Sequence, residues 1–302
     1  MKVLMITDDP TILDQGSSGH TRARENALAI GELHVLITAD TPETRDEGSL
    51  RVHAVKQSIF STHGSLTQAA RTLITEHHIQ AIWSMDPFEL GEISCSLSRE
   101  YDIPFYVNVY TDFLSPWYSM EGMFRSSKVK VPPSHKKRRA LAGRVLPCAS
   151  GIRVMSERVK ESLVKRYGDT IVVPEVIPIE VHTSPIEPVA FPVPRFPFSL
   201  ITAGRLDAGR RVIDIIDALA FIRDKYPGVG LFVVGDGPER ARLERHAHKL
   251  KLADRVVFLG DRPDTQGLMR SANAYVQASA YEGYGRRLLQ AAIARLPIIT
   301  TD

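Results

Sequence analysis

The residues best suited to chemistry lie in the second half of the chain, just past short apolar runs. Thr202-Ala203-Gly204-Arg205-Leu206-Asp207-Ala208-Gly209-Arg210-Arg211 places Arg205 and Arg210 five positions apart. Two planar, permanently charged guanidinium groups at that spacing could grip a diphosphate, or they could be solvated loop arginines. Further on, Glu282 is followed by Gly283, Tyr284, Gly285 and Arg286, and Gln290 stands eight positions after the acid. This is an acid leading into a glycine-spaced turn that opens a helix. The N–H groups of such a start face an anion, and Glu282 would reach hydroxyls of a sugar held beside it. By spacing alone the segment is equally an ordinary helix start.

Two more turns belong to the same set. Val234-Gly235-Asp236-Gly237-Pro238 has glycines that permit a tight turn, with a proline suited to a first helical turn. Leu259-Gly260-Asp261-Arg262 could present Asp261 and Arg262 to a nucleotide base. Each of these is also a plausible connection with no chemistry. In the first half, Gly16-Ser17-Ser18-Gly19-His20 precedes a helical stretch and could contact a phosphate or be a flexible loop.

The elements that must position these residues follow from periodicity. Short apolar runs at Val3–Thr7, Leu33–Thr38, Val52–Val55, Ala81–Ser84, Pro104–Val109 and Ile152–Met155 read as strands, with helical stretches such as Ser65–His77 and Phe88–Tyr101 between them. Pro185, Pro188, Pro192, Pro194 and Pro197 then interrupt the pattern, which reads as a linker over 185–197. The alternation resumes with strands at Phe198–Thr202, Val229–Val234, Val256–Leu259, Ala274–Gln277 and Ile298–Thr300. Helices are expected at Val212–Lys225, Pro238–Leu250 and Tyr284–Ala294. Such alternation predicts α/β domains with doubly wound parallel sheets, one over 1–184 and one over 198–302. Ligands of open α/β sheets bind at the carboxyl ends of strands, which is where the residues above fall. The chain stops at Asp302, directly after a strand that would need a covering helix, so the second domain reads as truncated.

Taken together, the second-half segments resemble glycosyltransferase family 4, a large retaining group of GT-B architecture. Its pattern runs Gly-Arg-Leu and Lys-Gly, Val-Gly-x-Gly-Pro, Phe-Leu-Gly, then Glu-Gly-x-Gly with a second glutamate eight residues after the first. Here these stand as Gly204-Arg205-Leu206, Val234-Gly235-Asp236-Gly237-Pro238, Phe258-Leu259-Gly260, Glu282-Gly283-Tyr284-Gly285 and the closing Leu296-Pro297-Ile298-Ile299-Thr300-Thr301-Asp302. The resemblance implies two Rossmann-like domains facing a cleft, with a nucleoside-diphosphate sugar as donor and a glycan or lipid-linked acceptor. It also implies roles. Arg205 and Arg210 would neutralise the departing diphosphate, so that no metal or other cofactor is required. The turn from Gly283 to Arg286 would add backbone donors, Glu282 would orient the sugar, and position 290 would hold the ribose.

The chain departs from that pattern at three points. Arg210-Arg211 replaces Lys-Gly, keeping the charge but not the shape. Gln290 replaces the second glutamate and keeps hydrogen bonding without charge. Relatives often carry histidine where Tyr110 stands, so Asp112 could contact acceptor or donor in place of an acid–base group there; the acceptor-side candidates are Asp86, Tyr110 and Asp112.

Bulk properties exclude little else. The 302 residues are 43% hydrophobic and 24% charged, with a net charge of +3. No run approaches the roughly 18 apolar residues of a membrane span. Cys95 and Cys148 fit no metal or redox spacing, so two buried thiols in a reducing cytoplasm are expected. Lys128 to Arg139, continuing to Arg144, is the densest basic stretch. It would be either a solvated face or a patch for an anionic membrane surface, and its lack of interleaved aromatics argues against nucleic acid. A dehydrogenase is disfavoured because no G-x-G-x-x-G with a following acid occurs. An epimerase would lack the arginine–glutamate arrangement. A catalytically weakened nucleotide-sugar or glycan binder stays open.

Overall fold

The computed structural model describes residues 1–56, 62–115, 133–179, 187–193, 196–280 and 282–301. These form two compact units, the first from 1–114 and 133–178 and the second from 187–301.

In the first unit, strands β1 (Lys2–Ile6), β2 (Glu32–Ala39), β4 (Leu50–Lys56), β5 (Ala81–Ser84), β6 (Phe105–Val109), β7 (Gly151–Val154) and β8 (Glu175–Val176) pair in parallel. With β3 (Glu43–Glu47) the sheet order is β3-β4-β2-β1-β5-β6-β7-β8. Strand β3 is antiparallel to β4 and lies at the edge. Its residues, Glu-Thr-Arg-Asp-Glu, carry no apolar alternation, which is why periodicity does not reveal it. It forms because the turn at Gly48 (φ 79°) folds it back on β4, and its charges protect an open edge. Helix α1 (Ser18–Ile30) buries Ala23 and Ala27 against Val3, Met5, Leu33, Val35 and Val52. Helices α2 (Thr62–His77), α3 (Glu89–Tyr101), α4 (Pro133–Val145) and α5 (Glu157–Tyr167) complete the unit.

Cys95 of α3 and Cys148, just past α4, form a disulfide with a Cα–Cα distance of 5.8 Å. The expectation of two buried thiols is therefore corrected. Packing of α3 on α4 joins residues 53 positions apart, a pairing that no local spacing encodes. The thiol count accordingly no longer argues for a reducing compartment. No helix among the described residues is long and apolar enough to cross a membrane.

The second unit is a five-stranded parallel sheet in the order β11-β10-β9-β12-β13. Its strands are β9 (Phe198–Ala203), β10 (Val229–Val234), β11 (Val256–Gly260), β12 (Ala274–Gln277) and β13 (Ile298–Thr300). Neighbouring residues along a strand serve opposite faces. Leu200, Leu231 and Val233 pack with Ile215, Ile216 and Leu219 of α6 (Val212–Ile222) and Leu243 of α7 (Arg240–Lys249). Ile201, Phe232 and Tyr275 pack with Leu268 and Met269 of α8 (Thr265–Ser271) and Ala291 of α9 (Arg286–Ile293). Helix α8 is too short to leave a periodic signature in the sequence.

The segment expected as a linker makes specific contacts along its described part. Phe191 stacks on Phe232 at 3.8 Å between ring centroids, and the Val189 N–H donates to the Gly267 carbonyl at 3.0 Å. Residues 187–193 are thus packed on the second unit, because the apolar residues between the prolines cover a sheet face. Pro185 and Pro194 lie outside the described residues.

Candidate active site

Strand β9 is the hinge of the second sheet's connectivity. The chain leaves it toward β10 on one side and returns to its other side as β12. The loops after β9 and after β12 therefore diverge above their strands, at the switch point where open α/β sheets bind ligands. The loop after β9 carries Arg205 and Arg210, and the loop after β12 carries Glu282. The structure brings the last two together.

Arg210 Nη1 donates to Glu282 Oε2 and lies 3.5 Å from Ser279 Oγ. Both partners are about one-quarter exposed, so the pair is reachable from solvent. Two residues that the sequence did not single out extend it. Gln277, at the end of β12, donates from Nε2 to Glu282 Oε2 at 3.0 Å and accepts from the Tyr275 hydroxyl at 2.9 Å. Burial pushes the Tyr275 phenol up to about 12, so it stays a neutral donor. The signal for Gln277 was a polar residue closing an apolar strand, informative only once β12 is known to adjoin β9. A second omission is Arg287. Burial first, then the nearby Arg210 charge, holds its guanidinium below the ordinary arginine range, with Asp261 acting in the opposite sense. Positive charge is thus concentrated around Arg210.

Glycines let this loop sit tightly on its neighbour. Gly204 (φ 142°) leaves room for Arg210, whose Cζ would lie 3.7 Å from a Cβ there. Gly235 (φ 126°) and Gly237 (φ 157°) lie against the Gly204 and Leu206 carbonyls. Arg205 is exposed beside the same recess, which Gly204, Arg210, Gln277 and Ser279 also line.

Residues 190–302 match the family model for glycosyl transferases group 1. Among curated relatives, the chain is 28% identical over 137 residues to the uncharacterized glycosyltransferase MJ1059 of Methanocaldococcus jannaschii, covering 44% of this chain and 34% of that one. It is 33% identical over 102 residues to the GDP-mannose-dependent alpha-(1-6)-phosphatidylinositol dimannoside mannosyltransferase of Mycobacterium tuberculosis, covering 34% and 26%. The chain therefore spans only about a third or less of the length of these relatives. Among solved structures, HepE of Anabaena in complex with UDP and glucose aligns with a TM-score of 0.72 at 19% identity, over 99% of this chain and 80% of HepE. The fold is accordingly the two-unit α/β fold of GT-B glycosyltransferases.

The remaining candidate residues of the second unit take several positions. Gly285 (φ 78°) caps α9, so the helix begins at Arg286 rather than at Tyr284, and Gly283 and Tyr284 are half-buried in the preceding turn. Tyr281 lies outside the described residues. Gln290 is buried, and its Oε1 accepts from Arg287 at 2.9 Å. Arg262 forms a two-pronged pair with Asp264 at 2.9 and 2.7 Å, while Asp261 is exposed. Arg211 takes the left-handed backbone (φ 50°) that the usual glycine would adopt without strain.

The first-unit candidates are only partly assembled. Gly16 (φ 87°) makes a turn with open space around it. Gly19 is a packing residue, since a Cβ there would stand 2.0 Å from Thr11 Oγ1. Ser17 caps α1 by accepting from the His20 N–H at 3.1 Å. Asp112 is buried and its Oδ1 accepts from the Leu114 N–H and the Ser162 hydroxyl. That carboxylate holds the loop after β6 to α5. The Tyr110 hydroxyl accepts from Asn108 Nδ2 at 3.0 Å, and burial raises its pKa. In the basic stretch Arg144 pairs with Glu92 at 2.7 Å, and Arg139 donates to the Phe113 and Leu114 carbonyls. Lys128 and Lys130 lie outside the described residues.

Asp86 follows β5 at the switch point of the first sheet. Burial, with Asp8 and Glu89 nearby, pushes its carboxyl from 3.8 to about 6. A raised folded-state value means the proton binds the native state better. The associated stability is present below about pH 4 and lost as pH rises through 6. Asp86→Asn should therefore stabilise the protein at pH 7.5 by about 1–2 kcal/mol, a full two-unit shift discounted for partial exposure. At pH 4 the gain should vanish, because the wild-type carboxyl is already neutral. Urea unfolding at both pH values measures this, and equal effects at both would refute the burial argument.

Proposed function

We propose that the chain is a retaining glycosyltransferase that moves a sugar from a nucleoside-diphosphate sugar to a hydroxyl of a glycan or lipid-linked acceptor. The observation that carries this reading is the meeting of Arg210 and Glu282 from loops on the two sides of a switch point. Arg205 and Arg210 stabilise the negative charge that grows on the leaving diphosphate, and Arg287 adds to the local positive field. In this reading the fixed guanidinium charges do what a divalent cation does elsewhere, so no metal takes part. Amides of the turn before α9 add donors to the diphosphate. Glu282, steadied by Gln277, orients the donor sugar through its hydroxyls. Gln290 and Arg287 serve the ribose side. The acceptor hydroxyl attacks the anomeric carbon from the face the diphosphate leaves, and configuration is retained without a closely spaced carboxylate pair. The GDP-mannose dependence of the mannosyltransferase relative favours a nucleotide-linked hexose.

The test is release of nucleoside diphosphate from a panel of nucleotide sugars. Arg205→Ala should lose most of the turnover, because an exposed guanidinium there serves the ligand rather than the fold. Undiminished turnover in that variant counts against the assignment. A second reading, a nucleotide-sugar binder with little turnover, is favoured by Gln290, whose amide is already engaged by Arg287. Saturable binding of a donor without release of diphosphate would select it.

A further inference from the structure

Far in sequence from the donor-site loops, three imidazoles meet on one face of the first sheet. In the β2–β4 ladder His34 pairs with Arg51 and Leu36 with His53, so His34 and His53 are diagonal neighbours on the same face. Helix α2 packs across these two strands, and its last turn delivers His77. The His34 and His77 ring centroids are 4.4 Å apart, and those of His53 and His77 are 6.0 Å apart. One ligating nitrogen from each ring lies within 4.8 Å of the other two.

The hydrogen bonds fix which nitrogen is available. His34 Nε2 lies 2.9 Å from Glu32 Oε1, and a carboxylate can only accept, so the proton is on Nε2. The bare Nδ1 lone pair of His34 then faces His53 Nε2 at 3.1 Å. Two nitrogens on a tetrahedral ion with bonds of about 2.0–2.1 Å stand about 3.3 Å apart, so this pair is already at ligand spacing. Glu32 is itself held by Arg51 at 2.6 Å and Lys2 at 3.6 Å. A carboxylate gripping the far nitrogen of a histidine is the usual outer support of a metal ligand, because it fixes the tautomer and raises ligand basicity. The ring nitrogens of His77 make no hydrogen bond among the described residues, and its half-exposed ring opens a path from solvent.

We propose that His34 Nδ1, His53 Nε2 and one ring nitrogen of His77 form a binding site for a zinc-type divalent ion. Three neutral imidazoles with no thiolate suit Zn²⁺, Co²⁺, Ni²⁺ or Cu²⁺ rather than Ca²⁺ or Mg²⁺, which prefer oxygen. His53 takes up its Nδ1–H tautomer when the ion replaces the hydrogen bond to His34, with no net proton change. Water from the His77 side fills the fourth position. The ion ties the end of α2 to β2 and β4 and is independent of sugar transfer.

The test uses the whole chain, freed of metal by a chelator and titrated with ZnCl₂. One equivalent should bind and raise the thermal midpoint, and CoCl₂ should give the visible absorption of a four-coordinate ion. His77→Gln, at a half-exposed helix end, should fold normally and lose the site. Glu32→Gln should keep it with affinity reduced about 10- to 100-fold. Absence of stoichiometric binding, or unchanged affinity in His77→Gln, would overturn the proposal. Loss of binding with sugar-transfer activity intact supports it separately from the enzyme assignment.

Discussion

Arg210→Ala is expected to lower donor turnover by about 10²–10³-fold while leaving the second unit folded. The large kinetic effect follows from where the guanidinium stands. A positive group fixed beside a developing diphosphate anion contributes on that scale, because its charge is oriented before the bond breaks. The small structural effect follows from exposure. The Arg210–Glu282 pair is about one-quarter exposed on each side, and such pairs stabilise a fold by about 1 kcal/mol or less. Glu282 also keeps its hydrogen bond from Gln277 when Arg210 is gone. Arg210→Lys should recover part of the rate, since charge is kept and only the planar fork is lost. Steady-state release of nucleoside diphosphate, with circular dichroism as the folding control, decides the matter. Turnover within about threefold of wild type in Arg210→Ala would show that the charge is not where the reaction needs it.

The second large effect is expected from a single methyl group. Gly235→Ala should destabilise the second unit by about 3 kcal/mol or more, or prevent its folding. A Cβ at Gly235 would lie 2.0 Å from the Gly204 carbonyl oxygen, a backbone atom that cannot swing aside as a side chain would. The residue also sits at φ 126°, where an L-residue is strained by about 1–3 kcal/mol. The two costs add because both must be relieved by moving the loop after β9, which is stitched in place. The Gly204 N–H donates to the Val234 carbonyl at 2.9 Å, and the Leu206 N–H to the Asp236 carbonyl at 2.8 Å. Moving that loop displaces Arg205 and Arg210, so any folded fraction should also bind donor poorly. Gly16→Ala is the control. Its φ of 87° carries strain, but nothing lies within 4 Å of the new Cβ, so a cost near 1 kcal/mol is expected. Comparable urea midpoints for the two variants would refute the close-contact explanation.

Much of the fold was legible because parallel strands buried on both faces leave unbroken apolar runs, and the helices between them leave a 3.6-residue period. Strands β5, β10 and β12 fall on the residues their runs indicated, and so does β13, although its three residues are exposed. Where no such signal exists, reading fails for a definable reason. Strand β3 is held by a turn and by pairing rather than by burial, and α8 is too short to show a period. The proline-bearing segment before β9 was legible as a break, but not as a strip whose Val189 and Phe191 cover the second sheet.

By itself the sequence determined the alternation of strands and helices and the loops that could carry chemistry, since a βα connection is a local pattern. It also supplied Arg205, Arg210 and Glu282 as residue types at strand ends. Tertiary structure alone decided which ends become neighbours. Strands β9 and β12 are separated by more than seventy residues, and only their lateral pairing sets Arg210 against Glu282 and brings in Gln277. The same holds for Cys95 with Cys148, for Asp112 with Ser162, and for the three histidines under α2. The physical reason is common to all of them. Local backbone preferences act over a few residues, whereas sheet order and helix packing are fixed by burial of whole faces, and side-chain partnerships across the fold follow from that burial.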